Sequence, residues 1–177
     1  MNIIPTSLEG LLIIEPDVFG DMRGYFLETH HLRRYQSAGL DAIFVQDNLS
    51  FSKKGTLRGL HFQITQPQAK LVQAITGKIF DVAVDIRPES PTYGKWSSAM
   101  LSEVNKRQLF IPGGFAHGFC VLSESAHVAY KCSDYYSPAD EGGILWSDPA
   151  IGIDWPVKDP ILSDKDQQYP CLKDLRL

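Results

Sequence analysis

Short apolar runs rich in Val, Ile, Phe, Tyr and Thr recur along this chain between Gly, Pro, Asn and Asp. Where apolar and polar residues alternate in them the period is two, that of a strand whose successive side chains point to opposite faces. The segment "KIFDVAVDI", residues 78–86, carries the pattern most plainly: Phe80, Val82, Val84 and Ile86 interleave with Asp81, Ala83 and Asp85. One face is apolar and the other more polar, which predicts a strand packed on one side with a pocket on the other. Just before it, "AKLVQAITGK" (69–78) reads as a strand ending in Thr-Gly-Lys. Gly77 suits a tight turn because glycine accepts positive φ without steric cost, so the two segments are predicted to form a hairpin. Further strand-like runs are "LLIIEP", "YFLET", "AIFVQDNLSF", "TLRGLHFQ", "WSSAMLSE", "RQLFIP", "HGFCVLS" and "HVAYKCSDYY". About ten short strands, punctuated by Gly, Pro, Asn and Asp, predict an all-β chain with a closed or double-sheet architecture.

Helical patterns are few. "HLRRYQSAG", around 31–39, ends in a glycine fit for a C-cap, and "SDKDQQ" lies near the C-terminus. Both are expected to be peripheral. The Pro-rich end "DWPVKDPILSDKDQQYP" is expected to be an ordered tail packed over strands. No repeat, low-complexity tract or linker divides the chain, so residues 1–177 are expected to form one domain.

Composition narrows the partners. Seventeen Lys and Arg against twenty-one Asp and Glu give a net charge of -4, without the overall basic field that nucleic acid or an anionic membrane would attract. Any anion site must be local. The start, MNIIPTSLEG, has neither basic residues nor a long apolar run, and no stretch approaches the roughly 18 apolar residues of a membrane span. These features point to the cytoplasm. Cys120, Cys132 and Cys171 are odd in number and lack metal-ligand spacing, so they are expected to be free thiols.

Candidate chemistry sits in two blocks. "KGTLRGLHFQITQPQAK" (54–70) carries His61, Gln63 and Lys70, and "PGGFAH" (112–117) carries His117. On residue type alone His61 suits a metal ligand, a proton shuttle or a core histidine. Together the blocks resemble the two motifs of the cupin superfamily, which implies a double-sheet β-barrel, or jelly roll, with few short peripheral helices. The usual first motif has His-x-His and then Glu where this chain has His61, Gln63 and Lys70. A glutamine and a cation are poor substitutes for an imidazole and a carboxylate around a divalent ion. The departures therefore imply the pocket without its metal.

The resemblance then narrows. "DMRGYFLET", "FVQDNLSFS", "LRGLHFQ", "QAKLV", "DVAVDIRPESPTYGKW", "IPGGFAHGF" and "YKCSDYYSPADEGGILWSDP" follow one another as in the dTDP-4-dehydrorhamnose 3,5-epimerase family, and the tail "WPVKDPILSDKD" continues the series. What this implies is a homodimeric isomerase of nucleotide-sugar metabolism that uses no cofactor. It would invert C3 and C5 of a dTDP-4-keto-6-deoxyhexose on the route to dTDP-L-rhamnose. A relative acting at C3 or C5 alone, in another dTDP-deoxysugar pathway, is the alternative reading.

In a 4-ketohexose the hydrogens on C3 and C5 are both α to the carbonyl, so epimerisation needs a base, a cation or donor at the ketone oxygen, and an acid across the ring. His61 is the candidate base, because imidazole titrates near neutral pH. The resemblance points to Asp166 as the group orienting it. Asp81, on the polar face of its strand pattern, is the alternative. Lys70 suits the enolate oxygen, and Tyr130 matches the family's proton donor. Lys131, next in the strand, is expected to face solvent on the other side.

By the same resemblance Arg23, Phe26, Glu28, Gln46, Asn48, Arg58, His117, Tyr136, Glu141 and Lys165 bind substrate, with arginines suited to the diphosphate. Phe119 is a further aromatic that could pack on the sugar or belong to the core. Arg58 and His61 are three residues apart, so in an unbroken strand they face opposite ways. Gly59 would allow the bulge that brings them together. His30, His31 and His127 have no supporting spacing and are read as structural or exposed.

Overall fold

A computed structural model describes residues 1–175. The last two residues of the expected 1–177 domain lie outside the described residues. The strands are β1 (Asn2–Pro5), β2 (Leu12–Glu15), β3 (Val18–Asp21), β4 (Gly24–Leu27), β5 (Gln46–Lys53), β6 (Leu57–Gln63), β7 (Lys70–Thr76), β8 (Lys78–Asp85), β9 (Trp96–Ser102), β10 (Gln108–Ile111), β11 (Phe115–Val121), β12 (Ser125–Cys132) and β13 (Glu141–Gly143). Helices are α1 (Leu32–Ser37) and α2 (Asp164–Gln168). One sheet has six strands in the order β1-β2-β10-β7-β12-β5, and a second has five in the order β13-β6-β11-β8-β9. β3 and β4 form a separate two-stranded ribbon.

Three layers of apolar side chains hold this arrangement. Leu11, Val72, Ile79, Leu101, Leu109 and Val128 belong to the core cluster drawn from both large sheets. Val82, Val84 and Ile86 pack with Ile151, Trp155 and Leu172, so the C-terminal tail covers the five-stranded sheet as its sequence suggested. Ile14, Leu71 and Phe110 pack under Tyr35 and Leu40 of the α1 region. The period-two pattern of β8 is thus real, but both of its faces are buried. Its second face holds Asp81 in the interior.

The expected hairpin of β7 and β8 does not form. β7 pairs with β10 and β12, whereas β8 pairs with β9 and β11. Between them Gly77 has φ +77°, and a Cβ there would lie 2.2 Å from the Ser125 carbonyl oxygen. The glycine carries the chain from one sheet to the other against a neighbouring backbone. Periodicity identified both strands correctly, but it carries no information on which strand lies beside which.

Other boundaries also moved. Residues 42–45 precede β5, and β12 stops at Cys132, leaving 133–137 as a loop. β1, β3 and β13, of four, four and three residues, are strands that the sequence pattern did not mark. Both helices form, α1 with the His31 side chain at its N-cap and α2 with Ser163. All three cysteines are free. Among the described residues no helix is long and apolar enough to cross a membrane.

Candidate active site

A cavity of about 320 Å³ opens between the two large sheets. β5 contributes Gln46 and Asn48, β6 Arg58, His61 and Gln63, β7 Lys70, β11 His117 and Phe119, and β12 Tyr130 and Cys132, while Tyr136 and Glu141 stand on the segment that follows. Most of these positions lie on strands, whose hydrogen-bonded ladders fix side-chain direction more firmly than a loop does.

The β6 segment solves the geometric conflict noted in its sequence. Opposite it on β11, His117 faces His61 and Phe119 faces Arg58, so three steps on one strand match two on the other. That is a bulge. It is centred on Gly59, at φ +128°, where a Cβ would come within 2.5 Å of Gly118 Cα. The extra residue turns Arg58 and His61 to the same cavity.

His61 Nε2 lies 2.5 Å from Asp166 Oδ1, which leaves Nδ1 as its other ring nitrogen. Asp166 sits on α2, one turn beyond its cap, so this short helix serves the site and is not peripheral to it. Burial alone would raise the Asp166 carboxyl. The His61 ring, the Ser163 hydroxyl and the Gly59 N–H outweigh it and hold the carboxyl below the usual range. The ring of Tyr169 packs edge-on to His61 at 5.7 Å. Asp81, the alternative partner, is instead 2.6 Å from Nε2 of His117 and is fully buried.

Burial pushes the Lys70 ammonium below the ordinary lysine range, while Cys132, Asp81 and Glu141 pull the other way. The ion pairs of this region join His61 to Asp166, His117 to Asp81 and Lys165 to Glu141, and Lys70 belongs to none of them. Burial, with Cys132 adding to it, raises the Tyr130 phenol, which keeps it protonated at neutral pH. Lys131 points away from the cavity, paired at 2.7 Å with Asp47 and half-buried where solvent was expected.

At the mouth, Tyr136 donates its hydroxyl to Glu141 Oε2 at 2.6 Å, and Lys165 Nζ reaches the same oxygen at 2.5 Å. Burial opposes the Lys165 charge, but the Glu141 and Tyr169 hydrogen bonds prevail and raise its pKa to about 12.

Arg23, Phe26 and Glu28 are not brought to this cavity. Arg23 is exposed and ion-paired with Asp21, Phe26 is 70% exposed, and Glu28 pairs with Arg34. All three lie on or just after the β3–β4 ribbon. Among the other histidines, His31 caps α1, His30 packs edge-on to Tyr35 and Phe44, and His127 bonds Thr76. Phe119 both lines the cavity and belongs to the core.

Sequence reasoning passed over Tyr169, Ser163 and Gln68, which serve or hold the cavity wall. Ser163 had a legible signal, since a serine three residues before an acidic one is a helix-capping pattern. Tyr169 had none. Among the described residues no three His, Cys, Asp or Glu side chains converge as a metal site would require.

A histidine–carboxylate pair, an ammonium and a phenol around one cavity in a double-sheet barrel form a set of groups that can move protons next to a carbonyl. Residues 5–174 match the model of the family described as dTDP-4-dehydrorhamnose 3,5-epimerase. The enzyme of that name from Shigella flexneri is 56% identical over 94% of this chain and 93% of its own. A crystal structure of dTDP-6-deoxy-D-glucose-3,5-epimerase from Legionella pneumophila, in complex with dTDP-4-keto-L-rhamnose, superposes with a TM-score of 0.96 at 51% identity, covering 99% of this chain and 94% of that one. A 3'-monoepimerase from Streptomyces bikiniensis, in complex with dTDP-quinovose, gives 0.89 at 34% identity over 96% and 87%. This chain belongs to the dTDP-4-dehydrorhamnose 3,5-epimerase family, and its fold is the cupin jelly roll.

Proposed function

We propose that this isomerase inverts C3 and C5 of dTDP-4-dehydro-6-deoxy-D-glucose, giving dTDP-4-dehydro-L-rhamnose for dTDP-L-rhamnose synthesis. The observation that carries the reading is the convergence of His61, Lys70 and Tyr130 on one cavity. His61, oriented by Asp166, takes the α-hydrogen as a proton on its free nitrogen, and the C–H electrons pass into the enolate. Lys70 stabilises the oxygen on which that charge develops. Tyr130 returns a proton to the opposite face, and solvent then takes the proton from His61 and reprotonates Tyr130, restoring both groups. The hydrogen leaves and returns as a proton, so the balance requires no redox cofactor. A glutamine and a lysine occupy positions where a metal-binding cupin places ligands, which supports a reaction run by side chains alone.

Gln46, Asn48, Arg58, His117, Tyr136, Glu141 and Lys165 hold the nucleotide sugar in this reading. Arg23, Phe26 and Glu28 enter the same scheme through a homodimer, each ribbon reaching the partner's cavity. The exposed apolar side chains of Val18, Phe19, Met22, Tyr25 and Phe26 support such a contact. So does the unpaired edge of β5, which a second sheet could meet. Light scattering tests the dimer. Mixing inactive Arg23→Ala and His61→Asn proteins tests the shared site, because a mixed dimer contains one cavity with both native residues. Failure to regain activity on exchange of subunits rejects the sharing. We place the enzyme in the cytoplasm, a reading that its three free thiols support.

The decisive measurement is solvent deuterium incorporation into the 4-keto sugar. Label at both C3 and C5, with the inverted product, is the expected result. The similarity to a 3'-monoepimerase favours one rival, an enzyme acting at a single carbon, and label at only one position would establish it.

A further inference from the structure

Gln63 stands where a metal-binding cupin carries a histidine, and neither the base, the cation nor the acid accounts for it. Its side chain is 6% exposed, and both ends of the carboxamide bond the same residue. Ser137 N–H donates to Oε1 at 2.8 Å, and Nε2 donates to the Ser137 carbonyl oxygen at 3.0 Å. The loop 133–137 belongs to no strand, and beyond the Ser133 N–H bond to the Ala69 carbonyl and the Asp140 N–H bond to the Ser137 carbonyl its backbone is met by side chains. Gln46 Oε1 accepts from Tyr136 N–H at 2.9 Å, and Gln68 Nε2 donates to the Asp134 carbonyl at 2.8 Å. Glutamines from three separate segments therefore grip the backbone of the loop that carries Tyr136.

We propose that Gln63 is a positioning residue for nucleotide binding, its buried carboxamide acting as a two-point clamp that holds the 133–137 loop and Tyr136 over the cavity mouth. The proposal rests on the reading of Tyr136 as a nucleotide contact and adds what fixes it. A primary amide presents one donor and one acceptor side by side, as a peptide group does. A glutamate has only acceptors when ionised and sets an oxygen against the Ser137 carbonyl. A histidine supplies one bond at most in this geometry. The clamp thus gives a reason for glutamine at this position that is separate from metal binding.

Gln63→Glu is the test, read by hydrogen exchange on the free enzyme and by dTDP binding. Near pH 8 amide exchange in 133–137 should quicken by about tenfold or more, with the strands unchanged, and dTDP affinity should fall by about tenfold. The kcat at saturating substrate should stay within about threefold while KM rises. Near pH 5 the buried carboxyl, its pKa raised by desolvation and the facing carbonyl, regains a proton. It then donates to Ser137 again, and affinity should return to within about threefold of the wild type at that pH. A merely structural defect would not be rescued by acid.

Gln68→Leu, which removes one bond to the same loop, should shift exchange and affinity the same way by a smaller factor. It also serves if Gln63→Glu fails to fold. Wild-type exchange in 133–137 for both variants overturns the proposal, and so does faster exchange with unchanged dTDP affinity. In that second case Tyr136→Ala locates the fault: unchanged dTDP affinity there too means that Tyr136 was misassigned, whereas weakened binding means that the clamp does not govern it.

Discussion

The cavity contains two histidine–aspartate pairs that look alike in a diagram and differ in almost every physical respect. His61 and Asp166 are 105 residues apart, and the carboxylate arrives on a capped helix from the C-terminal tail. Its second oxygen accepts from the Ser163 hydroxyl at 2.8 Å, and the imidazole is 32% exposed. His117 and Asp81 come from adjacent strands, the pair is almost wholly buried, and Asp81 Oδ2 has no hydrogen-bonding partner among the described residues. A base that must take and release protons needs a free nitrogen facing the reactant and a well-satisfied partner behind it. In the first pair Asp166 is bonded through both oxygens and takes only Nε2 of a partly exposed imidazole. The second is a fixture of the sheet wall, suited to holding a ligand in place.

The sharpest test of that contrast is His61→Asn, which should lower kcat by about 10³-fold or more and abolish deuterium exchange, whereas Tyr130→Phe should retain exchange but lose inversion. Exchange in His61→Asn at the wild-type rate would assign the base elsewhere, His117 being the first alternative. Lys70→Met should follow with a loss of about 10²- to 10³-fold in kcat. Its melting temperature should hold or rise, because a buried charge is removed. A large drop in melting temperature would instead make Lys70 a structural residue.

The carboxylates compare the pairs directly. Asp166→Asn should cost about 10²-fold in kcat with KM little changed, as the histidine loses its orienting acceptor. Asp81→Asn should raise KM by about tenfold and leave kcat within about threefold. Equal losses in kcat from both would erase the distinction.

Smallest in its effect on turnover is Asp85→Asn. Burial would raise the Asp85 carboxyl, but Arg87, Ser90 and Thr92 hold it far below the usual range. A depressed folded pKa contributes stability above the unfolded value, and that stability is lost as pH falls through the folded value. The variant should therefore melt about 10 °C lower near pH 7, with the gap narrowing below about pH 4 and kcat unchanged. Thermal melts across this range check it. A gap that widens in acid would reverse the sign and sink the assignment.

Much of this was legible in the chain. Ten of the strands followed from short runs of strand-forming residues between turn residues, α1 from its closing glycine, and the bulge at Gly59 from a conflict between Arg58 and His61. Residues of the cavity wall could be named because they lie in short segments matching a known family. What failed was partnership. β7 and β8 are joined by one glycine yet belong to different sheets, and Arg23, Phe26 and Glu28 lie on a ribbon away from the cavity of their own chain. The use of Gln63 was invisible because its partner is a backbone peptide 74 residues away.

The sequence by itself determined the strand periods, the turn glycines and the chemical types in the cavity, because each depends on local sterics or on the side chain's own chemistry. Only the tertiary structure decided that Asp166 rather than Asp81 stands behind His61, and that Gln63 grips a loop. Those outcomes depend on which distant segments pack together, and packing is a property of the whole set of buried surfaces rather than of any one stretch.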